Sequence, residues 1–303
     1  MADLSVQIGS LKLKNPVLVA SGTFGYGKES AALVNLDKLG GIVTKSVSPK
    51  PRDGNPPPRI VELPAGMLNS IGLQNVGVEA FVKEKLPFLK TVDTALIVNI
   101  AGSTSKEFLT VVHRLESEEG IDGYELNFSC PNVKEGGLEF SQDPKVTAQV
   151  TAFIRKATKR PLIVKLTPNV TRVSEIARAA ADSGADAVSL INTLVGMSVD
   201  VELGRPKINT ITAGYSGPAI KPIALAKVYE VAQHVPIPII GIGGIMNTQD
   251  ALEFLITGAT AIEVGTANFL DPRTGERIAA ELSDYCEEHN LASISELVGS
   301  LKT

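Results

Sequence analysis

Tyr124-Glu125-Leu126-Asn127-Phe128-Ser129-Cys130-Pro131-Asn132 reads as a strand that runs into a polar loop. Tyr124, Leu126 and Phe128 alternate with Glu125 and Asn127, the period of a half-buried strand. Pro131 lacks the N–H that a central ladder requires, so the strand stops there. Beyond the apolar part come Asn, Ser, Cys and Asn in quick succession. A thiol at the end of a strand, between amide side chains, suits proton transfer on a bound polar molecule. The same Cys also fits a small buried hydrophobe in a turn, so the neighbouring segments must decide.

Outward from this stretch, one rhythm repeats: a short apolar strand, a polar residue or Gly at its end, then a helix-period segment. The predicted strands are Val17–Ala20, Gly41–Lys45, Leu96–Ile100, Gly123–Asn127, Leu162–Leu166, Ala187–Asn192, Ile237–Gly241 and Ala261–Val264. Most are rich in Val, Ile and Leu, as parallel strands buried on both faces are. Two helix patterns are clear. Val173–Ser183 carries Val173, Ile176, Ala177, Ala180 and Ala181 on one face and closes at Gly184. Thr248–Thr257 opens on Thr248 as its N-cap candidate and stops at Gly258. Alternating β and α segments imply a parallel sheet. Eight such units predict an α/β fold, a (β/α)8 TIM barrel. The alternative, an open doubly wound sheet for dinucleotides, lacks its Gly-x-Gly-x-x-Gly fingerprint, because Gly22, Gly25 and Gly27 are wrongly spaced.

The strand ends fall at Ala20, Lys45, Asn99, Asn127, Lys165, Asn192, Gly243 and Gly265. The steps from Lys45 to Asn99 and from Asn192 to Gly243 are about twice the commonest step. Long loops are therefore expected after strands 2 and 6, holding Ser48–Asn75 and Gly196–Pro218. Barrel enzymes carry such loops on the face that does chemistry. An N-terminal β-hairpin over residues 5–14, turning at Gly9-Ser10, should plug one end, and a helix over Arg277–Leu301 should complete the wall. Residues 1–303 read as a single domain.

Composition narrows the function. The chain has 303 residues, 44% of them apolar, and a net charge of −4. No basic run exceeds two residues, so nucleic acid is not an expected partner. Cys130 and Cys286 are too few for a disulfide framework. His113, His234 and His289 are isolated in helix-like segments, so no metal site is expected and these read as surface residues. No apolar run approaches the roughly 20 residues a bilayer requires, and no membrane partner follows. A cytoplasmic location is expected.

In a barrel all eight strand ends surround one mouth, bringing Lys45, Lys165, several amides and Cys130 together. Gly243-Gly244 and Gly265-Thr266, after strands 7 and 8, fall where barrels bind phosphate through backbone N–H groups. Lys45 and Lys165 at one mouth suggest an anionic ligand, a paired carboxylate or charge on a reduced cofactor. Lys165 could alternatively be a Schiff-base nucleophile in a phosphosugar lyase. Asn69, Asn99, Asn127, Asn132 and Asn192 suit a small planar amide better than a phosphosugar.

Eight motifs spread along the chain resemble those of the dihydroorotate dehydrogenases. They are Ala20-Ser21-Gly22, Thr44-Lys45-Ser46, Gly54-Asn55-Pro56 with Pro58-Arg59, and Asn69-Ser70-Ile71-Gly72-Leu73-Gln74-Asn75. Asn127 to Asn132, Val164-Lys165-Leu166-Thr167-Pro168-Asn169, Ser216 to Pro222 and Ile240 to Ile245 follow.

The resemblance implies an FMN-binding barrel that oxidises (S)-dihydroorotate to orotate in pyrimidine biosynthesis. FMN phosphate would rest on Gly243, Gly244, Gly265 and Thr266. Ala20, Ser21, Lys45, Ser46, Asn99, Asn127, Lys165, Ile191 and Gly217 would surround its ring and ribityl chain. Lys165 would favour the anionic reduced flavin. Lys45, Asn69, Ser70, Ile71, Gly72, Leu73, Asn127, Asn132, Asn192 and Thr193 would hold the substrate. Cys130 would be the general base. The stretch Val133 to Phe140 looks like the NAD-linked type, whose electrons leave through a partner subunit with FAD and a [2Fe–2S] cluster in a heterotetramer of two and two. The alternative within the family is a homodimer that reduces fumarate.

Overall fold

Eight short strands pair in parallel and close on themselves: Val17–Val19, Gly41–Val43, Ala95–Ile100, Gly123–Asn127, Leu162–Lys165, Ala187–Leu190, Ile239–Ile242 and Ala261–Val264. They are called barrel strands one to eight below. The structure is a computed structural model that describes residues 2–128 and 140–302. Each strand pairs with its neighbour in sequence, and strand eight closes on strand one through Glu263 opposite Leu18. The expected (β/α)8 barrel is the fold observed.

Strand limits shift where the ladder dictates. The seventh begins at Ile239, not Ile237, because Pro238 has no N–H to give and offers only its carbonyl, to Val188. The second ends at Val43, before Lys45, whose N–H turns away to the Gly25 carbonyl.

Helices Ser105–Glu116, Pro144–Arg155, Val173–Asp182, Lys221–Ala232, Thr248–Thr257 and Thr274–Glu288 pack around the barrel. Val173, Ile176, Ala177 and Ala180 form the buried stripe of one of them, as the periodicity predicts, while Ala181 at its edge is only partly buried. The N-cap of Thr248–Thr257 is Asn247, not Thr248. Its backbone is extended, and its side chain accepts a hydrogen bond from Asp250 N–H at 3.0 Å. After strand one the chain forms turns and the short 3-10 segment Leu36–Lys38 instead of a full helix, with Gly22, Gly25 and Gly27 at positive φ. The C-terminal helix stops at Glu288, and a separate 3-10 turn, Ile294–Leu297, follows behind a Ser293/Glu296 capping box. His113, His234 and His289 are exposed and Cys286 is buried.

The N-terminal hairpin, Val6–Ile8 with Leu11–Leu13, lies at the end where the strands begin. A Cβ on Gly9 would stand 2.7 Å from that of Asp186, which immediately precedes strand six. At the opposite end, the two long loops join. Ile60–Leu63 and Gly66–Asn69 from the first pair with Thr212–Ser216 and Leu194–Met197 from the second, giving a four-stranded antiparallel sheet. Leu68, Ile208 and Ala213 give this sheet its own small core.

Candidate active site

The mouth is built from the strand ends. Strand four is buried on both faces, so the half-buried reading of Tyr124 to Asn127 is corrected. Tyr124 faces the helices, where its hydroxyl donates to Glu116 Oε1 at 2.9 Å and accepts from Arg160 at 3.1 Å. The alternate residue, Glu125, faces the barrel interior and is 0% exposed. Alternation placed Glu125 correctly on the other face, but that face looks at other strands rather than at water.

Inside the barrel Glu125 anchors a polar network. Asn99 Nδ2 donates to Glu125 Oε1 at 2.6 Å, and Ser189 Oγ donates to Oε2 at 2.6 Å. Ser46 Oγ donates to Asn99 Oδ1 at 2.5 Å. Lys165 Nζ stands 3.5 Å from Glu125 Oε1 and 3.1 Å from Glu263 Oε2. Burial pulls the Lys165 ammonium down, but Glu125 and then Glu263 outweigh it and hold it above its ordinary value. A Schiff-base lysine needs the opposite, a depressed value that frees the amine. The lyase reading of Lys165 therefore loses its physical basis.

Above this network lies a cavity of about 720 Å³, within the size range of small-molecule and cofactor sites. Its lining brings together every predicted site residue that is described: Ala20 and Ser21 from strand one, Lys45 and Ser46 from strand two, Asn99, Asn127 and Lys165 from the next three, and Ile191, Asn192 and Thr193 from strand six. The loop sheet contributes Asn69 to Leu73 and Gly217, and the last two strands contribute Gly243, Gly244, Gly265 and Thr266. Cys130 and Asn132 lie outside the described residues. Both flanks of their segment are described and pinned together: the Phe128 and Phe140 rings are 5.6 Å apart, each packs on Phe108, and Ser141 N–H donates to the Phe128 carbonyl at 3.2 Å.

The glycine end suits an anion. Gly243 and Gly244 hold φ of +129° and +75°, a region that favours glycine. Among the described residues, neither of their N–H groups finds a protein acceptor. Thr266 Oγ1 donates to Ser216 Oγ at 2.9 Å, tying this end to the loop sheet. Gly217 is constrained by its own sheet. A Cβ there would stand 2.7 Å from the Gly66 Cα, so the backbone of the neighbouring strand sets the requirement.

Two further features fit a bound polar cofactor. Ser70 Oγ is buried without a hydrogen-bond partner among the described residues, beside the cavity. Lys45 is held below the ordinary lysine range, first by burial and then by the Arg59 charge, against a weaker pull from Glu29. An anionic ligand would relieve both effects.

Sequence reasoning missed Glu263 and the loop-sheet residues Met67, Thr212 and Gly214, all but the first of which line the cavity. The signal for Glu263 was available: a carboxylate interrupts the apolar run Ala261-Ile262-Glu263-Val264. The loop-sheet residues carry no local signal, because their placement depends on pairing between distant segments.

The sequence profile of the family described as dihydroorotate dehydrogenase matches residues 3–285. A protein of Geotalea uraniireducens is 55% identical over 301 residues, covering 99% of each chain. Proteins of Geobacter metallireducens and Pelobacter propionicus are each 55% identical over 300 residues, covering 99% of this chain and 98% and 99% of theirs. All three carry the name dihydroorotate dehydrogenase B (NAD(+)), catalytic subunit.

Proposed function

The chain belongs to the dihydroorotate dehydrogenase family, and on that premise we propose that it oxidises (S)-dihydroorotate to orotate in pyrimidine biosynthesis with FMN as cofactor. The observation that carries this reading is the cavity itself, with open N–H groups at Gly243 and Gly244 and the Lys165 ammonium in its wall. The glycine end, with Gly265 and Thr266, holds the FMN phosphate. Ala20, Ser21, Ser46, Asn99, Ile191 and Gly217 flank the rest of the cofactor, which Lys45, Asn127 and Lys165 also touch.

When bound, FMN supplies the two-electron acceptor for the hydride that leaves C6 of dihydroorotate. Lys45 meets the substrate carboxylate. Asn69 to Leu73, Asn127, Asn132, Asn192 and Thr193 orient its ring amides. Cys130 takes the proton from C5. A thiol with an ordinary pKa of about 8.5 is a workable base at mildly alkaline pH.

The names of the relatives support an NAD-linked type. Electrons then leave through a partner subunit with FAD and a [2Fe–2S] cluster, in a heterotetramer of two catalytic and two electron-transfer subunits. We take residues 1–303 as one domain, supported by the continuous core that runs through the barrel and its helices. No helix among the described residues is long and apolar enough to cross a membrane, which is compatible with a cytoplasmic enzyme.

The test is purification with the partner subunit, flavin analysis, and turnover with NAD and with fumarate. Bound FMN and NAD reduction only in the complex are expected. A lone homodimer that reduces fumarate would overturn the NAD-linked type. Cys130→Ala should keep FMN and lose most turnover at neutral pH, and full turnover in that variant would remove Cys130 as the base.

A further inference from the structure

The proposed chemistry gives Glu263 no task, yet this residue lies inside the barrel at 0% exposure. Its Oε2 is 3.1 Å from Lys165 Nζ, while its Oε1 is buried without a hydrogen-bond partner among the described residues. Glu125 reaches the same ammonium at 3.5 Å but has both oxygens satisfied, by Asn99 and Ser189. Strands one and seven, which flank Glu263, are Val17-Leu18-Val19 and Ile239-Ile240-Gly241-Ile242 and contribute no titratable group. Glu125 and Lys165, from the facing strands four and five, are therefore the charged groups that meet it among the described residues.

One ammonium and two carboxylates, all ionised, would leave an excess negative charge in the barrel, with one oxygen bare. A buried carboxylate oxygen without a donor is strongly disfavoured, and protonation is the usual escape. The asymmetry of the hydrogen bonds says which carboxyl takes the proton. Glu125 receives two donors suited to its ionised form, and Glu263 does not.

We propose that Glu263 is a neutral carboxylic acid in the working protein and acts as a positioning residue for Lys165, leaving that ammonium with Glu125 as its single counter-ion. The floor of the cavity is then neutral instead of negative, and negative charge gained by the cofactor on reduction meets no excess charge beneath it. This role toward the cofactor rests on the FMN reading above. Burial, then the Glu125 charge, push the Glu263 carboxyl well above the usual carboxylate range against the pull of Lys165, in agreement with the geometry.

Two measurements on the full FMN-loaded chain test this. The first is the flavin midpoint potential across pH for wild type and Glu263→Gln. The expected result is matching potentials at neutral pH, with wild type falling below the variant at alkaline pH as Glu263 ionises. A potential shifted upward in Glu263→Gln at every pH would mean a charged Glu263 and overturn the proposal. The second is infrared detection of a protonated carboxyl C=O stretch in wild type that disappears in Glu263→Gln. Absence of that band in wild type overturns the proposal even if the variant does not fold. A chain that takes up no FMN refutes the flavin reading and the role toward the cofactor, and the infrared band then still decides the proton on Glu263.

Discussion

Lys165 on strand five and Glu263 on strand eight meet across the barrel interior at 3.1 Å, with side-chain exposures of 7% and 0%. The same ammonium reaches Glu125 on strand four, so one cation ties three strands together. Removing it leaves the Glu125 carboxylate buried without a cation.

Lys165→Met should therefore lower the unfolding free energy by about 3–5 kcal/mol, the usual cost of breaking a buried pair from one side. Denaturant unfolding of the two proteins checks this. A loss below about 1 kcal/mol, the range of an exposed pair, would mean that the pair is not buried in solution.

Glu263 gives a pH signature in stability. Its folded value is raised above the ordinary 4.5, so the folded chain keeps a proton that the unfolded chain releases. Its contribution is complete below the ordinary range and is lost as pH rises through the raised value. Glu263→Gln has no such loss, so its stability relative to wild type should grow with pH, by at most about 1.4 kcal/mol per unit. Unfolding curves over a pH series decide it, and a difference that is flat with pH contradicts the raised value.

Lys45 predicts substrate affinity. Lys45→Met should raise KM for dihydroorotate by roughly tenfold to a hundredfold, from loss of a charged hydrogen bond of about 1.5–3 kcal/mol. Because burial and Arg59 lower the Lys45 value from 10.5, the ammonium is lost earlier than usual as pH rises. Affinity for the anionic substrate should then fall on the alkaline side in wild type and not in the variant. Steady-state kinetics across pH measure both effects.

Gly244 predicts cofactor retention. An added Cβ would stand 2.8 Å from Lys221 Cβ and 2.9 Å from its backbone N, at a φ of +75°. Gly244→Ala should cost about 1–2 kcal/mol of stability from the left-handed conformation and purify with less FMN. Flavin absorbance per chain is the measure, and full occupancy would remove this loop from the phosphate site.

Much of this was legible in the sequence. Parallel strands buried on both faces leave Val, Ile and Leu runs that need no partner to be recognised, and all eight were found. Strand-end residues were legible for the same reason, since Lys45, Asn99 and Lys165 interrupt those runs. Glu125 was misread as half-exposed because alternation reports two different faces without saying what the second one meets. The hairpin Ile60–Leu63 with Gly66–Asn69 was read as loop, since Pro56-Pro57-Pro58 dominates the signal just before it and its two-residue turn, Pro64-Ala65, holds neither of the usual Asn or Gly markers. Cys130 and Asn132 remain readings from sequence alone.

The loop sheet carries a kinetic consequence. Met67, Leu68 and Asn69 pair with Ser216, Tyr215 and Gly214, residues far apart along the chain. Closing so long a loop costs entropy before any hydrogen bond offsets it, and the barrel must first bring strands two and six within reach. The cavity roof is thus expected to mature last, after the Lys165 floor. Pulse-labelled hydrogen exchange during refolding would test the order, with protection at Leu126 and Val164 preceding that at Met67 and Asn69, which face Ser216 and Gly214. Protection in the reverse order would place the nucleus in the roof. A chain ordered this way acquires its anion-binding groups before it acquires the wall that encloses the ligand, so the site stays open to solvent until the last step of folding.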